Sequence, residues 1–273
     1  MIQLVGSRRR IDWGEMLGIG TEQYNIALWI WIAIASLTFL TLMFVRAPYG
    51  RHERPGWGPR ISSRLGWIIM ESPSVIVMSI FFGIYAVKWG TTDWVAITFF
   101  IMWIGHYFHR SFIWPVRAKV AHKMMPLSIV LFAIIFNGIN TWFNAEWIYA
   151  LNHPYPEYWF FGWKFRVGAL IFISGMMINI TSDNILFSLR NGENKGYSIP
   201  HEGLHKWVSC PNYLGEILQW IGWAIATWSL AGLSFALWTI ANLAPRARAN
   251  HIWYHEQFPD YPKNRKALIP GIY

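Results

Sequence analysis

Glu71, His106, Tyr107, His109, Asn179, Asp183 and Glu216 are the side chains whose types could do chemistry and whose surroundings in this sequence are otherwise apolar. An ionisable group inside a membrane-length apolar run costs about 2.5 kcal/mol or more on insertion scales, so each needs a reason. Together they would suit a site that admits a soluble, charged partner from one face of a membrane and an apolar partner from the lipid. Each also has a plainer reading. Glu71, followed by Ser72-Pro73, can cap the backbone of a proline-kinked helix. Tyr107 can be an aromatic of the interfacial belt. His106 and His109 share a helical face but lack a third ligand at suitable spacing, a weak metal signal that favours structural hydrogen bonding and no metal. Asn179 and Asp183, four apart, can be interhelical glue, as can Asn137 and Asn140.

The elements that must hold these groups are membrane helices. Of the 273 residues 54% are hydrophobic and only 14% charged, about half the charged fraction of an ordinary soluble domain. A bilayer core takes about 20 apolar residues of helix, and six stretches qualify: 25–45, 66–87, 94–114, 125–143, 161–181 and 213–228. The run 231–244 follows Ser229, and with Gly232 it makes a tract too long for one crossing, which predicts a tight helical hairpin and a seventh span. Lys and Arg alternate between connections. Arg46, Arg51, Arg54, Arg60 and Arg64 follow the first span, Arg110, Arg117, Lys119 and Lys123 the third, Arg190, Lys195 and Lys206 the fifth, and Arg246, Arg248, Lys263, Arg265 and Lys266 the seventh. The intervening connections have none. By the positive-inside rule the expectation is an all-α integral membrane protein with seven transmembrane helices, the amino end outside and the carboxyl end cytoplasmic. Arg8, Arg9 and Arg10 oppose that orientation, and Asp12, Glu15 and Glu22 share their segment. The domain reading is a polar tail at 1–24, a seven-helix domain at 25–244 and a basic cytoplasmic tail at 245–273. The first span is full length with no small-residue cleavage site after it, so no signal peptide is expected.

Cofactor signatures are informative by absence. No Gly-x-Gly-x-x-Gly follows a strand and no Gly-Lys-Ser/Thr loop occurs, so a nucleotide would be held by the cytoplasmic half of the bundle and its loops. Those segments carry arginines suited to phosphates, at Arg51, Arg190 and Arg265, beside carboxylates and amides suited to ribose and carboxamide groups. A single cysteine, Cys210, excludes an internal disulfide and a Cys-based cluster, so redox chemistry would need an organic cofactor. The net charge of +9 sits in loops, which points to membrane orientation and not to nucleic acid. The sequon Asn179-Ile180-Thr181 falls at an intramembrane helix end, where glycosylation is not expected.

The carboxyl-terminal third reads Tyr197-Ser198-Ile199-Pro200, Val208-Ser209-Cys210-Pro211-Asn212-Tyr213-Leu214-Gly215-Glu216, Trp220-Ile221-Gly222-Trp223-Ala224, Ala226-Thr227-Trp228-Ser229-Leu230 and Asp260-Tyr261-Pro262-Lys263-Asn264-Arg265-Lys266-Ala267-Leu268-Ile269-Pro270. With Tyr49-Gly50-Arg51-His52, Glu71-Ser72-Pro73-Ser74, His106-Tyr107-Phe108-His109-Arg110 and Asn179-Ile180-Thr181-Ser182-Asp183 upstream, the chain resembles the steroid 5α-reductase family from about residue 46 onward. The resemblance implies a seven-span enzyme that uses NADPH to reduce the C4–C5 double bond of a 3-oxo-Δ4 steroid such as testosterone or progesterone. It implies Glu71 and Tyr107 as catalytic residues and Arg51, Asn179, Asp183, Arg190, Tyr197, Asn212, Glu216, Trp220, Tyr254 and Arg265 as cofactor contacts. Trp67 matches a pocket aromatic, and Met70 stands beside it in the substrate pocket where the family often has glutamine. Other departures are Glu202-Gly203-Leu204-His205, in place of two glycines and an apolar pair, and a tail histidine cluster reduced to Asn250-His251. The implied partners are a steroid entering from the lipid and membrane lipids, with a monomer as the assembly, in a bacterial inner membrane or in endoplasmic reticulum. Reductases of polyprenols or long-chain enoyl thioesters, a methyltransferase of the isoprenylcysteine type and a transporter are the competing classes.

Overall fold

A computed structural model of the protein describes residues 20–90, 93–120, 122–152, 155–190 and 197–273. Arg8, Arg9, Arg10, Lys195 and most of the 1–24 segment lie outside the described residues. The chain is helical, and the one small sheet among the described residues pairs β1 (Arg60–Ser62) antiparallel with β2 (Met124–Pro126). The helices are α1 (Thr21–Phe44), α2 (Ser63–Trp89), α3 (Trp94–Phe108), α4 (Trp114–Arg117), α5 (Leu127–Glu146), α6 (Trp163–Leu189), α7 (Pro211–Thr227) and α8 (Leu230–Gln257). A π-helical turn, His109–Ile113, joins α3 to α4 without a break, and a second, Trp147–Leu151, extends α5.

Four helices are long and apolar enough to cross a membrane: α1, α2, α6, and α5 with its π-turn. The other three expected spans fall short of that measure for visible reasons. α3 has 15 residues before its π-turn, α7 has 17, and in α8 the apolar run gives way to Arg246 and Arg248 halfway along. Ile30, Leu37 and Leu40 of α1, Ile76 and Ile80 of α2, and Phe132 and Ile135 of α5 are exposed. Large apolar residues exposed on several helices at once suit lipid and not water. Inside, Met78, Tyr85, Phe99, Trp103, Trp220 and Trp223 form the main buried cluster.

Two packing features place the polar groups. The first is a glycine seam between α6 and α7. A Cβ on Gly168 would overlap Ala226 and Gly222, one on Gly175 would overlap Gln219 and Gly215, and the reverse holds for Gly215 and Gly222. Four glycines at seven-residue spacing thus bring two backbones into direct contact, which is how membrane helices associate when burial from water cannot drive them. The second is the α2–α5 pair. Both helices start at the β1–β2 ribbon and run the same way, with Asn137 of α5 donating to Met70 O of α2 (2.6 Å) and Tyr149 against Tyr85 further along (ring centroids 5.4 Å).

The expected hairpin is present. α7 ends at Thr227, Trp228 turns the chain in the left-handed region (φ 47°, ψ 47°), and Ser229 Oγ accepts from Gly232 N (2.9 Å) to cap α8. α8 then runs uninterrupted through Pro245 to Gln257, so residue 245 lies inside a helix. Residues 207–210 are stitched to the final segment by Lys266 N→Trp207 O (3.0 Å), Ser209 N→Lys266 O (2.8 Å) and Cys210 N→Ala267 O (3.1 Å).

Candidate active site

Glu71 projects from α2, and its partner is Asn137, whose Nδ2 donates to Oε2 at 3.3 Å. The bond runs across helices, so the local cap reading is not the one observed. On its other side stands Arg110, with Nε 4.0 Å from Glu71 Oε1 and Nη2 3.8 Å from Glu216 Oε2. The guanidinium lies over Trp67 (4.7 Å) and Trp114 (5.0 Å), whose rings are 4.7 Å apart. Trp114 Nε1 donates to Asp183 Oδ2 (2.6 Å), Asn212 Nδ2 to Asp183 Oδ1 (3.0 Å), and Asn179 Nδ2 to Asn212 O (2.9 Å). Six elements, α2, the π-turn, α4, α5, α6 and α7, therefore meet in one mostly buried network. Its centre is a cation between two carboxylates, held by aromatic faces that attract a guanidinium.

Tyr107 is buried, its ring against Trp103 (5.1 Å) and Trp220 (5.8 Å), and its hydroxyl faces Ser74 and is in electrostatic range of Glu71. A tyrosine buried among the interior tryptophans is not a belt residue. His106 Nδ1 is 3.1 Å from Gln219 Oε1, the structural role expected of it. Trp220, one turn from Glu216, packs in the same interior against Phe235 (4.0 Å) and Tyr107.

A second group of expected contacts gathers where α8 leaves the apolar region. Arg51 lies over the rings of Trp253 and Tyr254 (4.7 Å each) and Tyr197 (5.0 Å), with Nη2 3.5 Å from Tyr254 Oη, and its Nη1 is buried with no partner. Arg265 is 4% exposed; Nη2 stands 3.4 Å from His201 Nδ1, while Nε and Nη1 have no partner. Among the described residues no carboxylate forms an ion pair with either arginine. Arg190 is placed differently, exposed and donating to Ala118 O (2.8 Å), within electrostatic range of Asp183. Here Asn250 Oδ1 accepts from His52 Nε2 (3.0 Å), and burial pulls His52 and His205 down to about 4.

Sequence reasoning missed Arg110, Trp114 and the site role of Asn137. Arg110 was read with the loop cations that mark orientation. Its position three residues after Tyr107 was the available signal, because an unbroken helix puts such neighbours on one face. The π-turn that carries the helix onward has no sequence signature here, and such turns are frequent at functional sites. Met70 is buried beside Glu71, yet the carboxyl is not left without an amide, because Asn137 reaches it from α5.

The family model for 3-oxo-5-alpha-steroid 4-dehydrogenase matches residues 123–273. The steroid 5-alpha-reductase DET2 of Gossypium hirsutum is 43% identical over 244 residues, covering 88% of this chain and 93% of that protein. The 3-oxo-5-alpha-steroid 4-dehydrogenase 1 of Bos taurus is 35% identical over 243 residues, with the same coverages, and that of Homo sapiens 33% over 261 residues, covering 94% and 98%. A family match over more than half the chain, together with relatives aligned at these identities over nearly their whole length, makes this chain a membrane enzyme of the steroid 5α-reductase family.

Proposed function

We propose that the chain reduces the C4–C5 double bond of a 3-oxo-Δ4 steroid, such as testosterone or progesterone, to the 5α-dihydro product with NADPH. The observation that carries this reading is the buried meeting of Glu71 and Tyr107 beside a cation, Arg110, that also reaches Glu216. Bound NADPH would supply a hydride to C5. Addition there moves negative charge onto the 3-oxo oxygen, where the Tyr107 hydroxyl and Glu71, in its protonated form, donate hydrogen bonds, and C4 takes a proton from water to complete the reduction. Trp67 and Met70 wall the pocket next to these donors.

The residues present fit a dinucleotide phosphate. Arg265 is buried and Arg51 half-buried, and both have buried nitrogens without a partner and no carboxylate in an ion pair, an arrangement that an anion would complete. With Arg190 they would hold phosphates, while Tyr197 and Tyr254 would flank Arg51. Asn179, Asp183, Asn212 and Glu216 offer the amides and carboxylates for ribose and carboxamide groups, and Trp220 would close the interior end. Seven spans with a cytoplasmic carboxyl end, a steroid arriving from the lipid and a monomeric assembly complete the proposal, supported by the alternation of basic connections. The membrane is a bacterial inner membrane or endoplasmic reticulum.

Detergent-purified protein should be stabilised thermally by NADPH more than by NADH, and not by S-adenosylmethionine. Equal responses to the two nicotinamides would remove the NADPH assignment, and stabilisation by S-adenosylmethionine alone would favour the methyltransferase class. Met70, apolar beside the carboxyl, is the feature that favours a less polar lipid as substrate. Rapid reduction of a polyprenol with no steroid product would settle the substrate that way.

A further inference from the structure

One helical turn beyond Glu71, on the side away from Arg110, lie polar atoms that the reaction above does not use. Asn140 Nδ2 and Thr141 Oγ1 make no hydrogen bond, Ser74 Oγ has no partner but the Tyr107 hydroxyl, and all three residues are fully buried. The parallel register of α2 and α5 brings them to one level. Asn137 bonds Met70 O and Glu71, and further along the same pair of helices Tyr149 meets Tyr85 and Phe82. Ser74, three residues on from Glu71, is therefore level with Asn140 and Thr141, three and four on from Asn137. The Tyr107 hydroxyl faces this level through Ser74.

Thr141, like Thr38, differs from five of this protein's helical threonines. Thr41, Thr98, Thr181, Thr227 and Thr239 each donate to the carbonyl four residues back. Thr141 does not, and its buried hydroxyl has no other partner. An unpaired hydroxyl in a dry interior is unfavourable, and the ordinary remedy of back-bonding was open to it. The three groups are neutral, two able both to donate and accept and one donating. That set is complementary to another hydroxyl and lacks the carboxylates a cation would need.

We propose that Ser74, Asn140 and Thr141 form a hydroxyl-binding pocket adjoining Glu71 and Tyr107, occupied by a water molecule or by a hydroxyl of the substrate skeleton. Water there would complete the bonding around the Tyr107 hydroxyl. A substrate hydroxyl there would orient the skeleton against the catalytic pair and select oxygenated substrates. The second source rests on the steroid reading above; the first does not.

Thr141→Val, isosteric and without a hydroxyl, separates the cases through thermal unfolding in detergent. If water fills the pocket, the ligand-free variant melts below the wild type. If the site awaits a substrate hydroxyl, the ligand-free variant melts above it, because an unpaired group has been removed. A hydroxysteroid then binds the variant about tenfold or more weakly, while a steroid lacking that hydroxyl binds both alike. Thr141→Ser keeps the hydroxyl and should behave as wild type, and Ser74→Ala repeats the test should Thr141→Val fail to fold. A higher melting temperature with no hydroxyl-dependent difference in binding would overturn the proposal, whatever the substrate. A lower melting temperature in a protein that binds no steroid would leave the pocket standing and remove the steroid reading instead.

Discussion

Replacing Gly175 with alanine adds one methyl group to the seam between α6 and α7. On the present backbone that carbon would overlap Gln219 N and Gly215 O and stand 2.8 Å from Gln219 Cα, where ordinary contact begins at 3.4 Å. All three obstacles are backbone, so no rotamer change relieves them and the helices must part by most of an ångström. One turn along α6 the Asn179–Asn212 and Asn212–Asp183 bonds, now 2.9 and 3.0 Å, would stretch to the edge of hydrogen bonding. Overpacking costs about 1–3 kcal/mol, and each weakened bond adds up to ~1 kcal/mol. Alanine's better helix preference returns about 1 kcal/mol. The net is a destabilisation of roughly 1–3 kcal/mol, or a fall of several degrees in Tm. Gly83→Ala and Gly138→Ala are the controls, since nothing lies within 4 Å of a Cβ at either, and they should match or exceed wild type. The stabilisation conferred by NADPH should shrink in Gly175→Ala alone. If all three variants melt together, the seam is not in contact as described.

Tyr107→Phe removes only a hydroxyl and should lower steroid turnover on the order of 100-fold, the scale of one lost oxyanion donor, with NADPH-induced stabilisation retained; near-normal kcat would leave the ring as packing alone. Arg110→Gln takes away the cation between Glu71 and Glu216 and should cost about 3–5 kcal/mol as a broken buried pair, whereas Arg110→Lys keeps the charge without the planar stack between Trp67 and Trp114 and should fall between. Melting curves of both, beside wild type, check the order, and a stable Arg110→Gln would contradict it. His52 and His205 titrate near 4 in the folded protein and near 6.5 once unfolded, so the unfolded chain binds more protons between those values and stability falls as pH drops from about 6.5 toward 4. Above 7 these two histidines add no slope. A His205→Gln variant should flatten part of the acid decline, and an unchanged Tm–pH curve would remove His205 as a contributor.

Much of the layout could be read from residues because the signals are local. Ser229 and Gly232 announce a break in an apolar tract, and a serine cap with a left-handed Trp228 is what the chain builds there. Glu71, Asn137, Asn179 and Asp183 stand out because amides and carboxylates are rare in apolar runs, and the structure brings them into one network. What stayed hidden depends on helix phase and on distance in sequence. Arg110 looks like a loop cation unless the π-turn that keeps it helical is known. Gly168, Gly175, Gly215 and Gly222 look like scattered small residues until α6 and α7 are laid side by side. The β1–β2 ribbon, three residues on each strand, is too short for a periodicity to reveal. Thr141 carries no signal at all, since its hydroxyl is distinguished only by the bond it does not make.

Because α8 is a single helix from the hairpin turn to Gln257, it fixes the chain's tolerance of insertions and deletions. One residue added between Leu233 and Pro245 would rotate everything beyond it by about 100° and displace it by about 1.5 Å along the axis. Asn250 would swing off His52, and Tyr254 off Arg51, without a single side chain having been altered. Substitutions on the exposed side of α8 leave that phase untouched, so the helix can drift in composition while its residue count stays constant. Length variation should therefore be excluded from this helix and accumulate in the connections, of which the stretch between α6 and α7 is the longest.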